Sequence, residues 1–405
     1  MTVRLIEEGP HKGEPAITKA EILFTRRCPL RCAGCAIYRI DEHGTSDTKQ
    51  SDLEEASMDK WFATVDNLKE LGCGFMAIYG AEPAQVPKRV ASFIHYVEVV
   101  SGIPCSVITS GVGLTNDMID LWWGSGLRSL TMSVDGLAGE GEQTSSISSK
   151  KKTDKAWHYL SYFVDKYGKE MRDAEGCMTI TRRNVEVIPE LIKVMSEKRI
   201  WWHGDIVHWN RGQDYSKVET ELDLDGLTFK TPEDIAVLQR VIEEIISMKD
   251  GGYLIHPGKE SLKAMVSMGP KLEWQCCQGS SGFIGMVTVD VNCVIRPCDD
   301  FLPAEMDVSR HNLTASPERR GFSTRRDGKK AVRKLSLITP NMIEGVPIFG
   351  WELSKRWDEY KKRTKEQVEK HNCRCMWATH MSAQNIYEGV GEDLEHYIHR
   401  RVSDL

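Results

Sequence analysis

Short apolar runs alternate with amphipathic stretches over the first 250 residues. The runs Glu21–Thr25, Gly74–Tyr79, Cys105–Thr109, Ser129–Val134, Cys177–Thr181 and Ile200–His208 read as strands. Helical periodicity covers 58–71, 86–100, 115–125, 153–171 and 186–198 between them, and 231–249 after them. Ser57 and Thr115 are placed as N-caps and Gly72 as a C-terminal stop; Thr231-Pro232-Glu233 opens the last helix with proline at its first position. Six strands, each followed by a helix, predict an α/β fold with a parallel sheet and right-handed crossovers. The count fits a partial (β/α)6 barrel better than a doubly wound sheet, although periodicity alone does not separate them. Barrel chemistry sits at the C-terminal ends of the strands.

Two polar stretches break the pattern. Residues 136–155 are rich in Gly, Ser and Lys and read as a loop. Residues 303–345 contain a basic block, with nine Lys/Arg and two acids from Arg310 to Lys334, which reads as a solvated insertion or as a clamp for an acidic partner. The chain as a whole has a formal net charge of -6, so it carries no overall polyanion-binding signature. With 405 residues, 40% hydrophobic and 28% charged, it has room for one large domain and a smaller one. No apolar run approaches the ~18 residues of a membrane span, and no signal peptide stands at the start, so a cytosolic protein is expected. Twelve cysteines in that setting point to metal or redox chemistry rather than disulfides.

The cysteines are grouped. Cys28, Cys32 and Cys35 follow the first strand in the order Cys-x3-Cys-x2-Cys. Three thiolates can hold three irons of a [4Fe–4S] cluster and leave the fourth open, whereas electron-transfer clusters normally take four cysteines. A zinc site is the other reading, although zinc more often pairs two Cys-x2-Cys knuckles. The segment Phe24-Thr25-Arg26-Arg27-Cys28-Pro29-Leu30-Arg31-Cys32-Ala33-Gly34-Cys35 closely resembles the radical S-adenosylmethionine (SAM) enzymes.

The resemblance extends to the ends of successive strands. Tyr79-Gly80-Ala81-Glu82-Pro83 is similar to the family's Gly-Gly-Glu-Pro motif, which implies that Gly80 and Glu82 hold the SAM amino group. Thr109-Ser110-Gly111 and Ser133-Val134-Asp135-Gly136 resemble later SAM-binding segments, implying roles for Ser110, Ser133 and Asp135. Thr181-Arg182-Arg183-Asn184 resembles a segment of the peptide-modifying branch, with Arg182 near the SAM carboxylate. The aromatic residue often found before the third cysteine is Gly34 here, so Tyr38 or Ile37 is expected beside the adenine.

A second cysteine group lies toward the C-terminus. Cys276 and Cys277 precede the strand-like run Phe283–Val289, Asp290-Val291-Asn292 forms a turn, and Cys293 and Cys298 follow. This resembles the auxiliary-cluster hairpin of the SPASM and twitch branches, which a later pair, Cys373 and Cys375, completes. The resemblance implies one auxiliary [4Fe–4S] cluster on Cys277, Cys298, Cys373 and Cys375, with Cys276 or Cys293 as a substitute; a four-thiolate zinc site stays open. The implied division is a tail at 1–17, a barrel at 18–250 and a β-hairpin-plus-helix auxiliary-cluster domain at 251–405.

The family's chemistry is reductive cleavage of SAM and hydrogen-atom abstraction from a C–H bond. It implies a low-potential electron donor of the flavodoxin or ferredoxin type and an oxidoreductase or maturase acting on a peptide or protein side chain. The same chemistry on a small metabolite is the alternative. A non-catalytic iron–sulfur or zinc protein binding nucleic acid through 310–334 is the contrasting class. Asp299, directly after Cys298, is the expected acid–base residue, with His203 and His208 as alternatives. Only 27 residues precede Cys28, which leaves no leader-binding domain expected there. The aromatic segment around Trp201-Trp202-His203 is expected to line the barrel mouth.

Overall fold

The computed structural model describes residues 5–30, 55–138, 150–206, 227, 229, 231–268, 285–296, 323–324, 330–331 and 348–371. Its strands in the barrel region are β1 (Lys19–Leu23), β2 (Met76–Tyr79), β3 (Cys105–Thr109), β4 (Ser129–Ser133), β5 (Asp173–Ile180) and β6 (Trp201–Ile206). Between and after them run α1 (Met58–Glu70), α2 (Pro87–Ile94), α3 (Asn116–Gly124), α4 (Lys150–Tyr167), α5 (Ile188–Glu197), α6 (Pro232–Asp250) and α7 (Lys259–Met268). The hairpin strands β7 (Met286–Val289) and β8 (Ile295–Arg296), a small pair β9 (Ser323–Thr324) and β10 (Lys330–Ala331), and α8 (Trp357–His371) complete the described strands and α-helices.

The main sheet has the order β6-β5-β4-β3-β2-β1-β7-β8. Seven of its strands are parallel and curl into a half-barrel with the helices outside. The seventh, β7, lies beside β1 with Ala20 opposite Val287 and Ile22 opposite Val289. The C-terminal hairpin therefore extends the barrel sheet itself, a long-range pairing that local periodicity does not reveal. Leu254–His256 adds a further parallel bridge outside β6, with Trp202 N–H donating to Leu254 O and His256 N–H to Trp202 O, each at 2.9 Å.

Alternation along the strands gives the sheet two chemically distinct faces. Ile22, Ile78, Val107, Leu130, Met178 and Trp202 face the helices and belong to the apolar core. The opposite, concave face carries Glu21, Thr131, Ser133, Glu175, Cys177 and His203, which fall in step through the strand registers. This polar interior explains a difference from the sequence expectation. The fifth strand begins at Asp173, four residues before Cys177, because Asp173 and Glu175 are buried polar residues on an interior that is not oily.

The helix ends follow their local chemistry. Thr115 Oγ1 accepts from Met118 N–H at 3.3 Å, and Thr231 forms a capping box with Asp234. Ser57 occupies its N-cap position in extended backbone without a side-chain cap bond. Gly72 sits at φ 72°, the left-handed geometry that ends α1. The expected loop over 136–155 is helical from Lys150 onward. Trp202 lies fully buried on the helix side rather than at the mouth, while its neighbour Trp201 faces inward. Among the described residues no helix is long and apolar enough to cross a membrane.

The C-terminal segment docks on the N-terminal part of the chain. Asn67 of α1 donates to Trp351 O at 3.1 Å and accepts from Ser354 Oγ at 2.7 Å. Trp357 Nε1 and Lys361 Nζ of α8 donate to Glu14 at 3.1 and 2.6 Å, and His11 Nε2 lies 2.7 Å from Ser354 O.

Candidate functional site

The C-terminal ends of β1 to β4 form one polar rim. Past β1, Phe24 is buried between Trp61 and Phe93, with ring centroids 5.3 and 4.9 Å away. Truncating such a residue typically costs about 3–5 kcal/mol, so the chain leaving β1 is firmly anchored. Thr25 Oγ1 donates to Glu55 Oε1 at 2.7 Å and Arg26 N–H donates to the same oxygen at 3.2 Å. Arg89 pairs with the other Glu55 oxygen and donates to Ala56 O at 3.0 Å. Glu55 thus staples the two stems of the cysteine loop together and to α2. Cys28 is half-buried on the first stem, with Leu30 N–H 3.4 Å from its Sγ. Cys32, Cys35 and Tyr38 lie outside the described residues.

Gly80, just past β2, meets the first stem closely. A Cβ there would stand 2.7 Å from Thr25 O, and Ala81 N–H donates to that oxygen at 2.8 Å. Only glycine permits this approach. Glu82 follows, fully buried. Its carboxylate accepts from Ala84 N–H at 3.1 Å and Ser110 N–H at 3.0 Å, and also from the Thr109 and Ser110 hydroxyls. A carboxylate offers about four acceptor sites, and those of Glu82 are met by groups from its own turn and from the end of β3. A ligand ammonium there joins or displaces these donors rather than meeting a bare carboxylate.

Ser133 closes β4 half-exposed, opposite Cys177. Asp135 is buried and paired with Lys152 of α4 at 3.1 Å, while Trp157 Nε1 donates to Gly136 O at 2.9 Å. Helix α4 thereby covers the turn after β4. Arg182 stands apart from this group: its guanidinium is about half exposed and lies 3.7 Å from Asp234 at the start of α6.

Deeper in the half-barrel lies a second polar group. Glu175 Oε1 is 2.8 Å from His203 Nδ1 and Glu175 Oε2 is 3.1 Å from His256 Nδ1. His203 Nε2 lies 3.1 Å from Asp205 Oδ2. Burial works against a charged His203, but Asp205 and Glu175 outweigh it and push its pKa up to about 10. Burial likewise opposes ionisation of Glu175, and the two histidines hold it well below the usual carboxylate range. Burial pushes the Cys177 thiol well up, reinforced by Glu175 and Asp205.

Sequence reasoning reached Glu82, Ser110, Ser133 and Asp135 through their places after strands, and the structure sets them on one rim. It missed Glu55, Arg89 and Lys152, which act through the rim residues, and Glu175 and His256. The alternation of Asp173, Glu175, Cys177 and Thr179 with small or apolar residues signals an inward polar face. No local signal brings His256 to His203. Asp299, Cys276, Cys277, Cys298, Cys373, Cys375 and His208 lie outside the described residues. Cys293 is described: it is fully buried in the β7–β8 turn, at φ 60°.

Residues 22–163 match the Radical SAM superfamily. PqqA peptide cyclase of Ruegeria pomeroyi is 29% identical over 129 residues, 32% of each chain. The match thus spans about a third of that curated relative's length. The crystal structure of Streptococcus suis SuiB superposes with a TM-score of 0.50 at 15% identity, covering 74% of this chain and 62% of that one. Its S-adenosylmethionine-bound form gives 0.50 at 15%, covering 71% and 61%. At this identity the likeness is one of fold.

Proposed function

Given that the chain carries a radical SAM domain, we propose that it is an enzyme that uses SAM and a [4Fe–4S] cluster to take a hydrogen atom from a peptide or protein side chain. The observation that carries this is the rim: a cysteine loop stapled at both stems by Glu55, against the turn that carries the buried Glu82. The donor set suits the group. Cys28 offers a soft thiolate with a backbone N–H beside it, and Cys32 and Cys35 are the proposed companions. Glu82 and Asp135 offer two buried carboxylates to a cationic amino acid, and Gly80 keeps the rim's backbone tight. When bound, the cluster and SAM supply one-electron reduction of a sulfonium and hydrogen-atom abstraction.

The chain's own residues supply placement. Glu82, held in place by four hydrogen-bond partners, presents its carboxyl group in a fixed orientation to a ligand ammonium, which joins or displaces those partners. Arg182, Ser133 and Tyr38 are proposed to complete the SAM contacts. The covering of the β4 turn by α4 helps to exclude water from the rim. A peptide substrate is supported by the name of the curated relative, PqqA peptide cyclase. Asp299 is proposed as its acid–base partner, beside an auxiliary cluster on Cys277, Cys298, Cys373 and Cys375. A low-potential flavodoxin- or ferredoxin-type donor is the proposed source of electrons.

The test is anaerobic reconstitution with iron and sulfide, followed by SAM and dithionite. The expected product is 5′-deoxyadenosine, abolished in Cys28→Ala. Wild-type protein that binds its iron but forms none, or Cys28→Ala protein that forms as much as wild type, overturns the reading.

A further inference from the structure

We propose that Glu175, His203 and His256 form a binding site for a divalent first-row transition ion, with Asp205 holding His203 from the other side of its ring. The three residues present ligand atoms that all lie within 4.8 Å of one another. Glu175 reaches both Nδ1 atoms, at 2.8 and 3.1 Å. Ligands of a tetrahedral ion with ~2.1 Å bonds stand about 3.4 Å apart, and the two carboxylate–imidazole distances are within a few tenths of an ångström of this. Two imidazoles and a carboxylate form a donor set that suits zinc and non-haem iron, the ion taking the place of the proton between Glu175 and His203 Nδ1.

The site is built rather than incidental. Glu175 and His203 project from neighbouring strands and are 3% and 9% exposed. The His256 ring stacks on Trp201, with centroids 4.6 Å apart and planes 10° apart, and its backbone is tied to Trp202. His203 Nε2 is buried without an aligned hydrogen bond although Asp205 Oδ2 stands 3.1 Å away. A carboxylate on that side of the ring is placed to orient a metal-bound histidine through its second nitrogen once the ring aligns with it. A buried ion cluster contributes little net stability once desolvation is counted, so packing alone does not account for four ionisable groups here. His203 stands level with Ser133 across Cys177, Glu175 lies deeper along β5, and none of the site's residues is among those proposed to hold SAM.

The test uses anaerobically purified protein with its iron and sulfide reconstituted, titrated with Zn2+ and examined by zinc K-edge X-ray absorption. Nitrogen or oxygen neighbours at about 2.0–2.1 Å are distinguished from sulfur at about 2.3 Å. The expected result is one zinc with N/O neighbours only and outer-shell scattering from two imidazoles. Two imidazoles exclude the partly exposed His11, Glu14 and Asp358 group, which has one. His256→Gln and Glu175→Gln should each weaken zinc binding at least tenfold, and Asp205→Asn by roughly tenfold. Zinc held by sulfur, zinc with fewer than two imidazoles, or no bound zinc in wild type overturns the proposal whether or not the variants fold. So does undiminished binding in folded His256→Gln and Glu175→Gln.

Discussion

At the scale of single residues, Glu82 and Cys293 show two opposite uses of burial. Glu82 is a fully buried carboxyl group surrounded by donors from Ala84, Thr109 and Ser110. Glu82→Gln keeps the shape but turns two N–H groups toward those donors. The expected cost is about 2–3 kcal/mol, read as a lower urea midpoint, together with weaker SAM binding. An unchanged midpoint would mean that the carboxylate is not the anchor of this rim. Cys293 has the reverse character. Burial pushes its thiol up to about 12, eased by Thr64 and reinforced by Asp290. It is therefore a protonated, buried thiol at neutral pH in this fold. In the folded protein Cys293 should resist iodoacetamide, and Cys293→Ala should keep the wild-type iron content. Loss of iron on that substitution would return Cys293 to the auxiliary-ligand set.

At the scale of elements, the clamp between the N-terminal segment and α8 is sensitive to pH. Burial alone would raise the Glu14 carboxyl, but hydrogen bonds and charge from Lys361 and His11 outweigh it and lower the pKa. A depressed carboxylate stabilises the fold above its unfolded pKa of about 4.5 and loses that effect as pH falls through the lower folded value. Acidifying from pH 6 toward 3 should therefore shift the Trp357 indole N–H resonance, because its acceptor Glu14 becomes protonated. Glu14→Gln should remove that step. Most strands and helices are legible in the sequence because each is set by local alternation and by end signals such as Thr115, Thr231 and Gly72. The misjudged places share one cause, dependence on distant residues. The start of β5 is polar because it lines an interior made by other strands. Trp202 is turned to the helices by the β6 register. The β7 pairing and the meeting of His256 with His203 are decided by residues more than 50 positions apart. The rim was readable for a different reason: its residues sit in short segments at strand ends, and order along the chain is order around a barrel.

At the scale of the whole molecule, two proposed clusters give a countable expectation. Reconstituted protein should hold about eight irons, four per [4Fe–4S] cluster. Cys298→Ala should lower that to about four and spare 5′-deoxyadenosine formation. About four irons in wild type, with stoichiometric zinc held by sulfur in freshly purified anaerobic protein, would assign the C-terminal cysteines to zinc. The sheet order has a further consequence, for the order in which the molecule is made. Strand β1 is flanked by β2 on one side and by β7 on the other. Its first partner ends at Tyr79 and its second at Val289, so roughly 210 residues must leave the ribosome between the two pairings. At ~5–20 residues per second this takes about 10–40 s. Throughout that interval a nascent chain presents one side of β1 as an open edge. Lys19 and Glu21 lie on that strand, and such charges discourage illicit partners. Ribosome-bound chains arrested before residue 286 should therefore recruit chaperones that release them once β7 has emerged.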